Sequence, residues 1–138
     1  NALKEKNKNV KIYLSDPKGS CLYNYIKTKE FKSDGNSITE GIGSSRATKN
    51  FEKALIDDAY SIDDTTALTV LFDLIEKEGL SLGTSSGINV AGAIKLAQEI
   101  GPNKTIVTIL CDKSDRYQGK LFNKKFLMEK NLPYPRWL

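Results

Sequence analysis

The run Thr105-Ile106-Val107-Thr108-Ile109-Leu110 is β-branched nearly throughout and shows no alternation of apolar with charged residues. Such a run predicts a strand buried on both faces, the situation of strands in parallel sheets covered by helices. Parallel neighbours need long crossover connections, so the rest of the chain must supply strands and helices in alternation.

The remaining segments follow that order. Val10–Ser15 interleaves Val10, Ile12 and Leu14 with Lys11, Tyr13 and Ser15, the period-two pattern of a strand, and Asp16-Pro17-Lys18-Gly19 ends it. Ser20 can cap a helix running to about Glu30. Lys32–Asn50, rich in Ser, Gly, Asn and Thr, reads as a long loop, and loops of that length are usually functional or mobile. Ile56–Ile62 predicts a short strand; Asp63 or Asp64 then caps a helix to Glu78, with Ala67, Leu68, Leu71, Phe72 and Ile75 on its apolar face and Gly79 as its stop. A short strand at Leu80–Leu82, a turn at Gly83–Gly87, a helix over Ile88–Ile100 and a last helix over Arg116–Lys130 complete the pattern. The predicted class is α/β: a parallel sheet with helices on both faces, three layers in all, built by residues 1–138 as a single lobe.

Composition removes much chemistry. The chain has no histidine, so histidine triads and histidine–zinc sites are excluded, and its two cysteines, Cys21 and Cys111, are too few for a disulfide framework or a four-thiolate cage. Free thiols fit a reducing compartment, and the expected location is cytoplasmic. No apolar stretch approaches the roughly 20 residues of a membrane-spanning helix. The net charge of +4 gathers partly in Lys4, Lys6, Lys8 and Lys11, but no aromatic residues interleave there as a stacking platform for nucleic acid requires. Partners are therefore expected to be neither nucleic acid nor membrane. Asn1 stands first and Met128 is the only methionine, so the chain reads as a piece of a longer protein.

In open parallel sheets ligands sit where strands end and helices begin. Three turns qualify. Glu40-Gly41-Ile42-Gly43 lets the backbone approach a ligand closely, or is a plain turn. Gly83-Thr84-Ser85-Ser86-Gly87 opens a helix whose N-terminus can receive an anion, or Ser85 or Ser86 simply caps it. Cys111-Asp112-Lys113-Ser114-Asp115-Arg116-Tyr117 leaves the run described first; here Cys111 reads as a core thiol rather than a nucleophile, and Ser114 or Asp115 as caps of the last helix.

Taken together, Asp16-Pro17-x-Gly19-Ser20 with Tyr23-Asn24-Tyr25, Ser37-Ile38-Thr39-Glu40-Gly41-Ile42-Gly43, Gly83-x-Ser85-Ser86-Gly87-Ile88-Asn89-Val90, Thr108-Ile109-Leu110-Cys111-Asp112 with Arg116-Tyr117, and the closing Leu132-Pro133-x-Pro135-x-Trp137-Leu138 resemble the C-terminal part of cysteine synthases. These and the related cystathionine β-synthases are fold-type II pyridoxal-phosphate enzymes. The resemblance implies replacement of the acetate of O-acetylserine by sulfide to give cysteine. It implies that Gly41, Ile42 and Gly43 lie close to the cofactor and that the turn after the last core strand supplies a serine to the pyridine nitrogen. That serine aligns with Lys113 in this chain. Three accounts stand open: Lys113 donates in its place, Ser114 takes the role after a one-residue shift, or the contact is lost in a degenerate copy. The family's Schiff-base lysine, carboxylate loop and phosphate loop lie in the part of the family chain preceding Asn1, so no catalytic residue is assigned here and this chain alone is expected to be inactive. The implied partners are that N-terminal part, a second subunit in a homodimer, and serine acetyltransferase. The alternatives are a non-catalytic remnant that works by binding a partner, and an unrelated α/β phosphate binder.

Overall fold

The computed structural model describes residues 1–138. In chain order the elements are α1 (Ala2–Lys6), β1 (Tyr13–Pro17), α2 (Leu22–Thr28), α3 (Lys49–Glu52), β2 (Asp58–Ile62), α4 (Asp64–Glu78), α5 (Thr84–Ile100), a 3₁₀ turn over Ser114–Tyr117, α6 (Gln118–Leu121) and α7 (Lys124–Glu129). β1 and β2 pair in parallel, from Tyr13 opposite Asp58 to Pro17 opposite Ile62.

Side chains alternate along each strand and so sort onto two faces. On one face, Tyr60 and Ile62 pack with Ile88 and Ala91 of α5, Tyr13 stacks on Tyr60 at 5.8 Å, and Ser15 meets Gly92 so closely that a Cβ there would lie 1.8 Å from its Oγ. On the other face, the carboxylate of Asp16 accepts the backbone N–H of Tyr23 in α2 at 2.8 Å. Burial raises the pKa of Asp16 above the ordinary carboxylate value, and its hydrogen bonds only partly offset that. Helices thus cover both faces of a parallel sheet, the three-layer α/β arrangement predicted.

α4 begins and ends as its residues dictate. Asp63 accepts the N–H of Thr66 at 2.8 Å, and Gly79 takes the left-handed conformation (φ 67°) that closes the last turn. Its apolar stripe divides between two cores. Ala67 joins the sheet-side cluster with Ile88, whereas Leu68, Leu71 and Phe72 pack with Tyr117, Leu121 and Leu127 of the C-terminal segment. α4 and α5 close on each other through Gly87, where a Cβ would lie 2.8 Å from both the Ala67 carbonyl oxygen and Leu71 Cγ.

Several elements differ from expectation. The first strand starts at Tyr13 rather than Val10, because the backbone before it is bonded to Asp57 instead of to β2: Asp57 donates its N–H to the Ile12 carbonyl at 2.8 Å and accepts the Ile12 N–H at the same distance. α5 starts at Thr84, four residues before the expected Ile88, with Gly83 as N-cap and no side-chain cap from Ser85 or Ser86. The last helix is broken, since Asn123 caps a new start by accepting the Phe126 N–H at 3.1 Å. Neither Ser114 nor Asp115 caps the turn that precedes it. Leu80–Leu82 is reduced to an antiparallel bridge between Leu82 and Lys113. Thr105–Leu110 is not a strand, and it is not buried: Val107 is 83% exposed and Ile109 63%, because no neighbouring strand lies beside it. Cys111, expected in the core, is exposed with it, whereas Cys21 is buried. α1 and α3 were not predicted; both are short and polar, and α1 is held by Lys4, whose ammonium lies 2.6 Å from Asp57. No helix is long and apolar enough to cross a membrane.

Two outcomes follow from this packing. Gly87→Ala forces a methyl into the α4–α5 contact and should cost about 1–3 kcal/mol in urea unfolding, whereas Gly119→Ala, where a Cβ meets nothing within 4 Å, should be neutral or slightly stabilising. Asp57 is held down to about 2, first by Lys4 and then by the Ile12 N–H, from an ordinary value of 3.8. A depressed folded-state pKa gives stability that is complete above the ordinary value and lost as pH falls through about 2. Proteolysis of residues 1–9 should therefore accelerate over that acid range, and Asp57→Asn should make it fast at every pH.

Candidate functional site

The first turn of α5 carries Thr84, Ser85 and Ser86, all buried. Hydroxyls so placed must find partners, and two of them find backbone amides from distant segments. Thr84 Oγ1 accepts the N–H of Glu40 at 3.2 Å, and Ser86 Oγ accepts the N–H of Cys111 at 2.9 Å. Gly83 adds a third tie by donating its N–H to the Asp112 carbonyl at 2.8 Å. The head of one helix thereby holds both the Glu40–Gly43 loop and the turn after Leu110.

Between them lies a cleft of about 290 Å³ lined by Glu40, Gly41, Ser85, Cys111, Asp112, Arg116 and Tyr117. Gly41 has φ 74°, and a Cβ there would meet no atom within 4 Å, so the backbone is bare toward open space. Asp112 accepts the Tyr117 hydroxyl at 2.7 Å through Oδ2, while its buried Oδ1 has no partner. The bond to Asp112, followed by burial, raises the pKa of Tyr117 and keeps its hydroxyl protonated as the donor. Gly83 makes room for this pair, since a Cβ would stand 2.5 Å from both Asp112 Oδ1 and the Tyr117 ring. The loop is held from two further sides: Ile38 donates its N–H to Asp64 Oδ2 at 2.9 Å, and Lys120 donates to the Ile38 carbonyl at 3.3 Å while pairing with Glu40.

All seven lining residues come from the three turns singled out in the sequence, and of those expected at the cofactor Gly41 is among them. Ile42 and Gly43 line a neighbouring cavity, also about 290 Å³, with Lys18, Ser20 and Ser44 among its walls. Lys113 and Ser114 line neither. Lys113 is exposed and makes no ion pair, with its backbone in the bridge to Leu82. Ser114 is buried and shares a hydrogen bond of 2.6 Å with the hydroxyl of Ser81. Thr84 and Lys120 escaped sequence reasoning. Lys120 is 80 positions from Glu40, and nothing local marks it as a partner of that loop. No group of His, Cys, Asp and Glu is clustered to hold a metal ion.

A three-layer α/β chain with a polar cleft at the head of a helix, between two chain turns, has the layout in which parallel-sheet proteins place their ligands. The family described as pyridoxal-phosphate dependent enzyme matches residues 1–112. This chain belongs to that family. It is 41% identical over 127 residues to cysteine synthase 1 of Neurospora crassa, covering 89% of this chain and 34% of that protein. To the cysteine synthase of Dictyostelium discoideum it is 38% identical, over 94% of this chain and 37% of the relative. The crystal structure of an O-acetylserine dependent cystathionine β-synthase from Helicobacter pylori superposes with a TM-score of 0.74 at 30% identity, over 86% of this chain and 36% of that one. The chain spans about a third of the length of the curated relatives it matches.

Tyr117→Phe leaves both oxygens of Asp112 without a partner, and an unsatisfied buried carboxylate oxygen costs about 1–3 kcal/mol. Thermal unfolding should show that loss for Tyr117→Phe. The double variant Asp112→Ala with Tyr117→Phe should lose less than the sum of the two single changes.

Proposed function

We propose that this chain forms one wall of the pyridoxal-phosphate pocket of a cysteine synthase that replaces the acetate of O-acetylserine with sulfide. The carrying observation is that Gly41 and Asp112, far apart in sequence, share one cleft built on the head of α5. The residues fit one face of a flat, polar ring system: bare glycine backbone at Gly41, a hydroxyl at Ser85, an unpartnered carboxylate oxygen at Asp112 and the guanidinium of Arg116. None of the lining residues is a lysine, so the amine that attaches the cofactor is assigned to the rest of the protein. When bound, the cofactor supplies a conjugated ring that accepts the electron pair released as the substrate's α-proton leaves.

This chain's own residues position and shield. Gly41 lets the loop backbone approach the ring, with Ile42 and Gly43 behind it shaping the second cavity. Glu40, tied to Thr84 and Lys120, fixes the loop's height above α5. Of the two residues considered for the pyridine nitrogen, Ser114 has its hydroxyl engaged with Ser81, whereas Lys113, exposed outside the cleft lining, keeps an uncommitted ammonium on a long side chain; Lys113 is assigned the contact through a swing of that side chain into the cleft. The relatives are named as enzymes, which favours a catalytic role over that of a partner-binding remnant. A cytoplasmic homodimer able to engage serine acetyltransferase belongs to the same reading, and native mass spectrometry tests that assembly.

The intact protein should show a visible absorbance band from bound cofactor and form cysteine from O-acetylserine and sulfide; a colourless, inactive intact protein sinks the reading. Lys113→Met should weaken cofactor affinity about tenfold and Lys113→Arg should keep it, as read by fluorescence titration, at roughly the value of one hydrogen bond to a charged group. Ser114→Ala should lower stability and leave that affinity unchanged.

A further inference from the structure

The second cavity, about 290 Å³, lies beyond Pro17 at the carboxyl end of β1, the end at which parallel sheets bind ligands. Two loops close around it. Gly19 packs so tightly on the other loop that a Cβ would stand 2.9 Å from both the Asn36 Cα and the Gly35 carbonyl oxygen, and at Gly43 a Cβ would stand 2.8 Å from Pro17 Cγ. Both glycines are left-handed, at φ 85° and 80°, so these contacts depend on glycine in conformation as well as in size. Buried Ser20 joins the loops a third time: its Oγ accepts the Ser44 N–H at 2.9 Å and donates to the Ser44 carbonyl at 3.1 Å. The two walls are therefore fastened to each other on several sides.

The lining is one-sided in charge. It contains Lys18 and no carboxylate, and Lys18 forms no ion pair. The hydroxyls of Ser37 and Ser44 are spent on Asp64 and on the Arg46 carbonyl, which leaves the Asn36 amide and the Ser45 hydroxyl uncommitted. The backbone N–H groups of Gly35, Asn36, Ser37, Ile42, Gly43 and Ser45 donate to no other group of the chain. The nearby carboxylates have other work: Asp64 accepts the Ile38 N–H, Asp63 caps α4 and Asp16 holds Tyr23 of α2. Asp34 lines an adjoining cavity of about 170 Å³ that shares Lys18, without pairing with it. A concavity of free amides beside one ammonium is the arrangement by which backbone binds anions. Its donors outnumber the two oxygens of a carboxylate and suit the four of a tetrahedral oxyanion. The volume stands at the lower edge of the roughly 300–1,000 Å³ of ligand pockets, which fits a small ion or ester rather than a nucleotide.

We propose that the cavity between the 17–20 and 35–45 loops is an anion site that takes a phosphate group, held by the Lys18 ammonium and the free amides of the lining. It is separate from the cofactor cleft, because the Glu40–Gly43 loop stands between the two, with Gly41 lining one and Ile42 and Gly43 the other. The site goes beyond the cysteine synthase reading and does not depend on it. A bound phosphate holds that loop from the side opposite the cleft, so occupancy steadies Gly41 as well.

The test is titration of the natively isolated protein with inorganic phosphate, followed by calorimetry and by amide chemical shifts. Binding should saturate and shift the amides of residues 35–37, 42, 43 and 45. Lys18→Met should weaken it about tenfold, the value of one hydrogen bond to a charged group, while Lys130→Met, outside the lining, should leave it unchanged. Glycerol 3-phosphate is titrated in parallel: tighter binding of the ester assigns the site to a phosphorylated metabolite, tighter binding of the ion assigns it to free phosphate, and either upholds it. Absence of saturation overturns the proposal, as do acetate binding as tightly as phosphate and shifts confined to the lysine-rich residues 4–11. Loading with pyridoxal phosphate should leave the titration as it was; competition between the two overturns a separate site. A colourless protein that binds phosphate at these amides upholds the site while sinking the catalytic reading, and a coloured, active protein that binds none does the reverse.

Discussion

Three backbone ties at the head of α5 hold the architecture of the cleft. Thr84 fixes Glu40, Ser86 fixes Cys111, and the Gly83 amide fixes Asp112. A helix is stiff over its first turn, so segments bonded to successive residues of that turn keep a set separation even when each is irregular. The cost of burying hydroxyls is offset because each satisfies a backbone group that would otherwise also be unpaired. Gly83 completes the arrangement by omission, since any side chain there would displace the Asp112–Tyr117 pair.

The rest of the packing brings that helix head to its place. α5 spans the sheet through Ile88, Ala91 and Gly92, and α4 presses against it through Gly87, so two glycines of one helix mark its two closest contacts. A two-stranded sheet is marginal alone, and here α2 and α5 hold it from opposite faces. The C-terminal turn and short helices reach the same centre through Leu68, Leu71 and Phe72 of α4. Tyr117 belongs to both systems: its ring sits in that apolar cluster while its hydroxyl holds Asp112 in the cleft. Stability of the C-terminal core and the shape of the site are thereby coupled through one side chain.

What was legible in the sequence was what is decided locally. Asp63 and Gly79 bound α4 because capping needs only a few neighbouring residues, and the strand before it ends at Ile62, where Asp63 takes up the cap. The resemblance to cysteine synthases also stood: the family match takes in residues 1–112, and the cysteine synthases it resembles cover 89% and 94% of the chain. What depended on distant partners was not legible. Ser85 and Ser86 look like caps, yet α5 starts before them and Ser86 serves another segment. Lys120 gives no local sign of its reach to Glu40. Thr105–Leu110 is the sharpest case: its composition is that of an interior strand, while no strand lies beside it to pair with.

Charge in the cleft is arranged with the same dependence on remote ties. Glu40 is balanced by Lys120, and Asp112 shares its oxygen with a neutral tyrosine hydroxyl rather than with a cation. Arg116, also in the lining, forms no ion pair. In a cleft walled by protein, a cation left without a carboxylate partner sets the local field more strongly than it would in bulk water. Asp112 is likewise without a cation, so the lining holds one charge of each sign uncommitted, while the bare backbone at Gly41 leaves that side of the cleft open to close approach. What the lobe contributes is a fixed, polar surface whose position is set by hydroxyls at the start of one helix.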